Sequence, residues 1–426
     1  MTRERVAVIG SGISGLTAAF LLQRSYDVTL FEADGRLGGH AHTHDVPASG
    51  KATIRVDSGF IVHNRVTYPN LVRLFSELGV ETAPTSMSMS VRCEGCGLEY
   101  AGALGLRGVF AQPRSLVRPA FLRMLTEVRR FHRHARSVLS QEGGPSDETL
   151  GDFLAAGGYS QYFVNHYMVP VVSAVWSAAP DTALLYPARY LFSFLDNHGM
   201  LSVKGSHQWY TVAGGSRTYV NAIAALIGDV RLSSPVVGLA RRTDGSGVEI
   251  RTATGGERFE RAVVATHPGT ALELLSDATP LEKQVLGAFA YSRNETVLHQ
   301  DPGVLPRHHS ARASWNYLLP ACHPGGGTGT AGVLVSYDMN RLQHLPTDQT
   351  YVVTLNAADR LHQSRIIARM TYEHPVYTPE SVRAQGRLDE LDTDTVAFAG
   401  AYHGWGFHED GCRAGARAAA RFGVDW

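Results

Sequence analysis

A glycine-rich turn near the start of the chain constrains its fold more than any other feature. The segment Gly10-Ser11-Gly12-Ile13-Ser14-Gly15 fits the spacing GxGxxG and lies between the β-prone run Arg5–Ile9 and the helical apolar face Leu16–Leu22. At this spacing the glycines allow a tight turn, the close approach of a pyrophosphate and close helix packing. The segment therefore predicts a strand-turn-helix unit that binds a nucleotide.

The second predicted strand, Val28–Glu32, ends in an acid. Glu32 stands seventeen residues after Gly15, which positions its carboxylate to accept hydrogen bonds from an adenosine ribose. A glycine turn followed by an incidental acid is the competing interpretation. The strand and the helix on either side of the turn favour the nucleotide site.

Two further glycine segments extend the signal beyond a plain nicotinamide site. Arg36-Leu37-Gly38-Gly39-His40 follows the ribose acid, and Phe398–Gly411 (FAGAYHGWGFHEDG) stands near the C-terminus. They resemble the R-x-G-G element and the closing flavin motif of the flavin-containing amine oxidase superfamily. Side-chain-free backbone at Gly38 and Gly39 suits a flavin laid across the fold. The resemblance implies FAD, with helix amides around Phe407–Asp410 stabilising negative charge on the reduced flavin.

Several segments of the sequence are similar to segments of a bacterial subgroup of predicted NAD/FAD-binding proteins within that superfamily. The segments that carry this similarity are GGHAHTH, VDSGFIVHN, CGLEYAG, ASWNY and GFHEDG, and they are spread over nearly the whole chain. Such proteins often accompany cyclopropane fatty acyl synthase-like methyltransferases. The resemblance thus implies lipid-related chemistry and a methyltransferase partner, by association only.

The motifs and the resemblance together predict which residues contact the cofactor. They are Gly10, Gly12, Ile13, Ser14, Gly15, Glu32, Ala33, Arg36, Gly38, Gly39, His40, Gly59, Phe60, Ile61, Val237, Thr266, Gly400, Ala401, Gly406, Phe407 and His408.

The chain's length, 426 residues, fits two interleaved domains better than one. We expect an α/β fold: a Rossmann-like, discontinuous FAD-binding domain of the GR2 type with a mixed α+β substrate domain. The FAD-binding domain is predicted at 1–65, 205–266 and 387–426. The substrate-binding domain is predicted at 66–204 and 267–386.

Candidate catalytic residues follow from a departure from the superfamily. Many of its amine oxidases carry a lysine in a central strand near the flavin, whereas the corresponding run Asn294–His299 has none. This absence argues against classical amine oxidation. His63, His403 and Trp405 are the catalytic candidates; His40 is a further candidate base, and each histidine has the alternative of satisfying backbone groups.

These features predict an FAD-dependent oxidoreductase that takes hydride from a C–H bond of a small or lipid-like (fatty acyl) substrate and passes electrons to oxygen or another acceptor. Three alternatives stay open. They are a redox-neutral, flavin-dependent double-bond isomerase, a classical amine oxidase and a non-catalytic FAD-binding partner of a lipid methyltransferase.

Composition excludes several other classes. Lysine plus arginine and aspartate plus glutamate both total 39, so no net charge attracts nucleic acid. No run reaches the eighteen apolar residues of a spanning helix, which argues against integral membrane insertion and leaves peripheral lipid contact open.

The cysteines point to a compartment and raise the question of a metal. Four cysteines in a chain of this length suggest a reducing, cytoplasmic setting. Cys93 and Cys96 have metal-like spacing, but no second CxxC or CxxH pair accompanies them. We therefore expect a hairpin turn with two incidental thiols and no metal.

Overall fold

The computed structural model describes residues 3–47, 53–141, 147–202, 207–323 and 332–426. Its strands, in chain order, are β1 (Arg5–Ile9), β2 (Asp27–Phe31), β3 (Thr43–Pro47), β4 (Thr53–Asp57), β5 (His63–Asn64), β6 (Thr82–Thr85), β7 (Met89–Cys93), β8 (Glu99–Ala101), β9 (Trp209–Val212), β10 (Asp229–Arg231), β11 (Val236–Arg241), β12 (Val248–Thr252), β13 (Gly255–Phe259), β14 (Arg261–Val264), β15 (Ala290–His299), β16 (Trp315–Leu319), β17 (Val335–Asp338), β18 (Val352–Leu355), β19 (Ile366–Val376) and β20 (Val396–Phe398).

The helices follow the same chain order. They are α1 (Ile13–Leu22), α2 (Pro69–Glu77), α3 (Gly105–Val109), α4 (Pro119–Ser140), α5 (Leu150–Ala156), α6 (Gln161–Phe163), α7 (Val169–Trp176), α8 (Pro180–Ala183), α9 (Ala188–Asn197), α10 (Arg217–Ala224), α11 (Pro268–Leu274), α12 (Pro280–Leu286), α13 (Met339–Gln343), α14 (Pro379–Gln385) and α15 (His408–Arg421).

A five-stranded parallel sheet has the order β10-β2-β1-β14-β20 and combines strands from the two ends of the chain with two from its middle, β10 and β14. Val6 and Val8 pack toward α1, α10 and α15, whereas Ala7 and Ile9 pack toward the β11-β12-β13 meander. Strands of a parallel sheet are covered on both faces, so they appear in sequence as nearly continuous apolar runs. This is why β1 and β2 are recognisable in the sequence.

A second, seven-stranded sheet has the order β19-β15-β18-β17-β16-β7-β8. Strands β16 and β7 pair in parallel, and the other neighbouring strands of this sheet, within the described residues, pair antiparallel. Helices α4, α5, α7 and α9 share a large apolar core with side chains of β7, β16 and β17. The middle of the chain is therefore mixed α and β.

A small third sheet has the order β5-β9-β6. Its central strand, β9, pairs with β5, which precedes α2 in the chain, and with β6, which follows α2. Its strand β5 carries His63 and Asn64 and follows the β3-β4 hairpin. The candidate site residues from the N-terminal segment therefore lie where the parallel sheet meets the second sheet.

One strand of the structure has no counterpart among the sequence-based predictions, and one helix start falls where they place it. The eleven-residue strand β19 was not predicted, although apolar and polar residues alternate from Ala368 to Glu373. The last helix begins at His408, within the segment Phe407–Asp410 where helix amides are expected, because the Asp410 carboxylate accepts the Phe407 N–H at 3.1 Å and caps the first turn.

Among the described residues, no helix is both long and apolar enough to cross a membrane.

Candidate active site

The glycine turn, Gly10–Gly15, between β1 and α1 packs against protein atoms at Gly10 and Gly15 and borders open space at Gly12. A Cβ on Gly10, which has φ of +97°, would lie 2.8 Å from the Ala265 carbonyl oxygen, and one on Gly15 would lie 1.9 Å from the Gly10 carbonyl oxygen. A Cβ on Gly12 would meet no described atom within 4 Å. The first amides of α1 thus border open space, where a phosphate group fits.

Glu32 is tied to this turn. Its Oε2 accepts the Ser11 N–H at 2.9 Å and the Ser11 hydroxyl, and its Oε1 accepts the Asp34 N–H at 2.9 Å. A carboxylate has about four lone-pair sites, so ribose hydroxyls can still donate to it.

The residues before β11 lie beside the C-terminal end of β2, where Glu32 follows the strand. The Ser234 N–H donates to the Glu32 carbonyl at 2.8 Å. Val237, two residues into β11, is 59% exposed, and Ala33 is exposed as well. The side chains of these two predicted cofactor contacts are therefore open to solvent.

The Arg36–His40 segment lies against the glycine turn. The Gly38 N–H donates to the Ser11 carbonyl at 3.0 Å. Gly38 has φ of +108°, and a Cβ on Gly39 would lie 3.2 Å from the Gly12 Cα. Glycine at both positions therefore keeps two backbones close together at the open side of the turn.

Helix α15 starts beside the start of α1. A Cβ on Gly411 would lie 2.6 Å from Cγ2 of Ile13, and one on Gly415 would lie 2.2 Å from the Ser14 carbonyl oxygen. Because α15 approaches the first residues of α1 through these two glycines, the N-termini of the two helices meet. Two sets of unpaired helix amides therefore point into one region, which is suited to negative charge.

The remaining predicted cofactor contacts surround this meeting point. Phe60 stacks on His408 with ring centroids 3.8 Å apart, and its N–H donates to the His40 carbonyl at 2.7 Å. A Cβ on Gly59 would lie 2.0 Å from that same carbonyl oxygen, which explains the glycine. The Ile61 carbonyl accepts the Thr211 hydroxyl. The last four contacts lie beside the glycine turn and before α15: Thr266, Gly400, Ala401 and Gly406.

His408 offers an unused polar atom. Its Nε2 is buried and has no hydrogen-bond partner among the described residues. Burial, with a smaller contribution from the nearby His63, lowers the pKa of His408 to about 3. The ring of His408 is therefore neutral and has a nitrogen left over for a hydrogen bond to a flavin bound beside the glycine turn.

His40 faces strand β19. Its ring centroid lies 5.0 Å from that of Tyr372 and 5.4 Å from that of His374. Burial and the neighbouring His374 hold the pKa of His40 well below its usual value. His40 is thus neutral at pH 7 and belongs to a group of aromatic and imidazole rings.

Strand β15 contributes Asn294 to the same group. The Asn294 side-chain amide donates to Nδ1 of His374 at 3.1 Å, and its Oδ1 accepts from the Asn356 amide at 2.7 Å. Burial, then the nearby His267, lowers the pKa of His374 to about 4. This arrangement leaves the proton of neutral His374 on Nε2.

The three catalytic candidates lie in different surroundings. His63 is buried against Phe60, its Nδ1 has no partner among the described residues, and burial lowers its pKa to about 4. His403 contacts Tyr402 and accepts from Arg417 through Nδ1 at 3.2 Å. The rings of His63 and Trp405 therefore border the site from two directions, and His403 is turned toward α15.

Trp405 and Phe407 belong to a cluster of aromatic rings, which we call the aromatic wall. Phe194 stacks on Phe407 with centroids 5.0 Å apart and meets Trp405 at 5.8 Å. The Trp176 indole N–H donates to the Trp405 carbonyl at 3.0 Å. Other members of the wall are Tyr68, Tyr190, His198 and Trp209.

Sequence reasoning missed several residues of this site. They are Tyr372 and His374 of β19, Tyr190, Phe194 and His198 at α9, and Trp176 of α7. The alternation of Tyr372 and His374 is a strand-like signal that places both on one face. The helical aromatics carry no such signal, because a core helix has the same pattern.

A separate cavity of about 620 Å³ opens away from the glycine turn. Its lining includes Asp45, Arg55, Gly214 and Gln343, and it contains none of the predicted cofactor contacts. The candidate site therefore lies at the glycine turn and the aromatic wall, and not in this cavity.

Comparison with known proteins bears directly on these features. The model of the family described as flavin containing amine oxidoreductase matches residues 13–422. The chain is 29% identical over 280 residues to AofH of Mycobacterium tuberculosis, described as a flavin-containing monoamine oxidase; the match covers 62% of this chain and only 57% of that relative. A shorter match, 62% identical over 37 residues, is to protoporphyrinogen oxidase 2 of Arabidopsis thaliana and covers 8% of this chain and 7% of that protein.

Solved structures share the fold over the full length. Cyclohexylamine oxidase from Brevibacterium oxydans has a TM-score of 0.70 at 19% identity and covers 99% of this chain and 98% of that one. A CLA-producing fatty acid isomerase from P. acnes has a TM-score of 0.70 at 16% identity and covers 98% of each chain. The predicted α/β fold is confirmed.

Proposed function

We propose a function from one premise: the chain belongs to the flavin-containing amine oxidoreductase family, and FAD is its cofactor. As an FAD-dependent oxidoreductase, it takes hydride from a C–H bond of a small or lipid-like substrate such as a fatty acyl chain. The aromatic wall beside the start of α15 is the observation that carries this proposal. Large apolar rings bind uncharged carbon chains and shield them from water.

The chain's own groups would hold FAD along two helix starts. The Gly12 backbone and the first amides of α1 would bind the pyrophosphate, and Glu32 would bind the ribose. The amides at the start of α15 would lie at the flavin end. When bound, FAD supplies a two-electron acceptor for hydride.

Neutral imidazoles would handle the proton. With a pKa of about 4, His374 is unprotonated near pH 7, and Asn294 fixes its ring through Nδ1. We propose His63, whose Nδ1 has no partner among the described residues, as the candidate proton acceptor. His374 would donate a hydrogen bond through its Nε2–H. Trp405 would be a substrate wall and His403 a positioning residue held by Arg417.

The two domains keep the predicted boundaries in this proposal, with FAD bound by residues 1–65, 205–266 and 387–426. The grouping of β1, β2, β10, β14 and β20 into one sheet supports it. The seven-stranded sheet, whose strands come from 66–204 and 267–386, supports the substrate domain.

A second candidate is a redox-neutral double-bond isomerase. The Asn294–His374 pair favours it over classical amine oxidation, because the run that would hold a lysine offers neutral groups instead. The fold likeness to a fatty acid isomerase is compatible with it.

The deciding experiment is anaerobic mixing of the purified, FAD-loaded protein with amines and with unsaturated fatty acids, followed by absorption spectroscopy and product analysis. Bleaching by a fatty acyl substrate, reversed on admitting oxygen, supports net oxidation with oxygen as acceptor. Bleaching by amines alone would overturn the lipid-like substrate. A shifted double bond without lasting bleaching identifies the isomerase.

The cellular setting is a further part of the proposal. The four cysteines are all free, which fits a reducing, cytoplasmic compartment. A lipid methyltransferase is the proposed partner. If no substrate bleaches the flavin while this protein raises the activity of such a methyltransferase, the non-catalytic role replaces the enzymatic one.

A further inference from the structure

Four metal-ligating side chains meet at the end of the β7-β8 hairpin, outside the flavin site. The donor atoms of Cys93, Cys96, His166 and Cys322 all lie within 4.8 Å of one another. The Cys93 and Cys322 sulfurs are 3.8 Å apart, and the Cys96 sulfur is 3.6 Å from Nε2 of His166. Tetrahedral zinc, with Zn–S near 2.3 Å and Zn–N near 2.0 Å, holds its ligand atoms roughly 3.5–3.8 Å apart.

The ligands come from three parts of the chain, with Cys93 and Cys96 together in the β7-β8 hairpin. Strand β16 runs parallel to β7 with Leu319 beside Cys93, so Cys322, three residues further on, reaches the hairpin. His166 lies in the π-helical turn Val164–Met168, a type of turn often found at functional sites. The expectation of incidental thiols rested on the lack of a second paired motif, and the fold supplies the missing ligands without one.

The histidine is oriented as a ligand. Nδ1 of His166 lies 3.1 Å from the Tyr162 carbonyl, to which it donates when protonated, so the Nε2 lone pair faces Cys96. The Tyr162 ring stacks on the imidazole with centroids 4.1 Å apart. A metal-binding histidine commonly donates its other N–H in this way, which fixes its tautomer.

The surroundings also suit thiolates. The Arg118 guanidinium donates to the Cys96 sulfur at 3.7 Å and to the Cys96 carbonyl at 3.2 Å. Three thiolates and one divalent cation leave a single negative charge, which Arg118 balances.

The turn between Cys93 and Cys96 is packed against the third cysteine. A Cβ on Gly95 would lie 2.8 Å from the Cys322 nitrogen and 3.1 Å from its sulfur. The Asn165 side-chain amide donates to the Cys322 carbonyl at 2.8 Å. Cys322 is thus held in place by contacts from both the hairpin and the helical turn.

We propose that Cys93, Cys96, His166 and Cys322 bind one zinc ion in a closed, structural, tetrahedral site. Three thiolates with one imidazole favour zinc over hard cations, and four protein ligands leave no open position for catalysis. The ion ties together the β7-β8 hairpin, the segment after β16 and the turn before α7, and so stiffens the region that carries the aromatic wall.

Elemental analysis of the untagged, FAD-loaded protein tests this site directly. We expect about one zinc per chain, falling at least about fivefold in Cys96→Ser and His166→Gln. Matched controls are Cys412→Ala, a buried cysteine on α15, and His323→Ala, which neighbours Cys322; both should keep the zinc. Wild type without zinc that takes none up, or a Cys93–Cys322 or Cys93–Cys96 disulfide seen by mass spectrometry, overturns the proposal.

Cobalt substitution keeps the test valid if a variant fails to fold. After the zinc is removed from the wild type by a chelator, one equivalent of Co²⁺ should restore thermal stability. It should also give the sulfur-to-cobalt charge-transfer and intense visible bands of a tetrahedral thiolate site. A spectrum of weak octahedral bands alone would overturn it.

Discussion

The side-chain amide of Asn294 donates to Nδ1 of His374 across 3.1 Å, joining strands β15 and β19 at the flavin site. The run that begins with Asn294 is the one that resembles the lysine-bearing run of many amine oxidases. Here the pair is neutral at pH 7, since the pKa of His374 is about 4. A neutral imidazole held in this way can donate a hydrogen bond through Nε2–H without bringing a positive charge to the site, which a lysine ammonium cannot do.

Replacing His374 by alanine should slow turnover without removing the flavin. We expect kcat to fall about a hundredfold, the range for loss of one hydrogen-bond donor in an active site, while the FAD absorbance per chain is unchanged. His132→Ala is the control, because His132 is also neutral, with a pKa of about 4, and bonds Tyr167 away from the site. Equal losses in both variants would contradict a specific role.

Asn294→Asp should shift the pH dependence of turnover. A carboxylate beside His374 favours the imidazolium and raises its pKa by about one to two units. The acid limb of the kcat profile should therefore move to higher pH by that amount. Asn294→Ala removes the hydrogen bond without adding a charge, so the acid limb of its kcat profile should stay at low pH, as in the wild type.

Gly12→Val should separate folding from flavin binding. Because an added Cβ at Gly12 meets no described atom within 4 Å, the apoprotein should fold and melt as wild type does, while the valine fills the space for the pyrophosphate. FAD content should be lost. Gly15→Ala is the contrast, since its Cβ would lie 1.9 Å from the Gly10 carbonyl oxygen, and it should lower Tm itself.

The fold was predictable, and the residues proposed to bind the cofactor were recognisable, because both depend on local patterns. The spacing of Gly10, Gly12 and Gly15 lies within one turn, and Glu32 ends the next strand. These constraints act over a few residues, so they are visible in sequence.

The substrate end was not predictable, because it is assembled from distant elements. Phe194 on α9 meets Phe407 before α15 only after both domains have packed. Likewise, Cys322 reaches Cys93 through the parallel pairing of β16 with β7. Such pairings involve a sequence separation of more than two hundred residues and leave no periodic signal.

Glu32→Ala should weaken FAD binding more than Glu32→Gln does. Alanine leaves the N–H groups of Ser11 and Asp34 without their acceptor and removes the ribose contact. We expect Kd for FAD to rise about ten- to a hundredfold, equivalent to about 1.4–3 kcal/mol. Glutamine keeps one acceptor oxygen and should give a smaller rise; titration of apoprotein by flavin fluorescence measures both. Unchanged affinity in both variants would contradict the ribose role.

Acid should destabilise the folded protein, through its buried histidines. Burial lowers the pKa of many histidines to about 3 or 4: His42, His63, His132, His198, His299, His374 and His408. Between pH 6.5 and 4 the unfolded chain binds more protons at these groups than the folded chain does, so stability falls as the pH drops. Asp57 and Asp410, whose pKa burial raises to about 6, act in the opposite direction but are fewer.

Tm should accordingly decrease from pH 7 to pH 4.5. His299, whose Nε2 lies 2.7 Å from the Thr354 hydroxyl, allows a direct check. In His299→Asn one titrating group is gone, so the slope of the unfolding free energy against pH should shrink by about one proton in this window. Urea unfolding of both proteins at several pH values measures the two slopes. A Tm that is constant or rises toward pH 4.5 would show that the buried carboxyl groups outweigh the histidines.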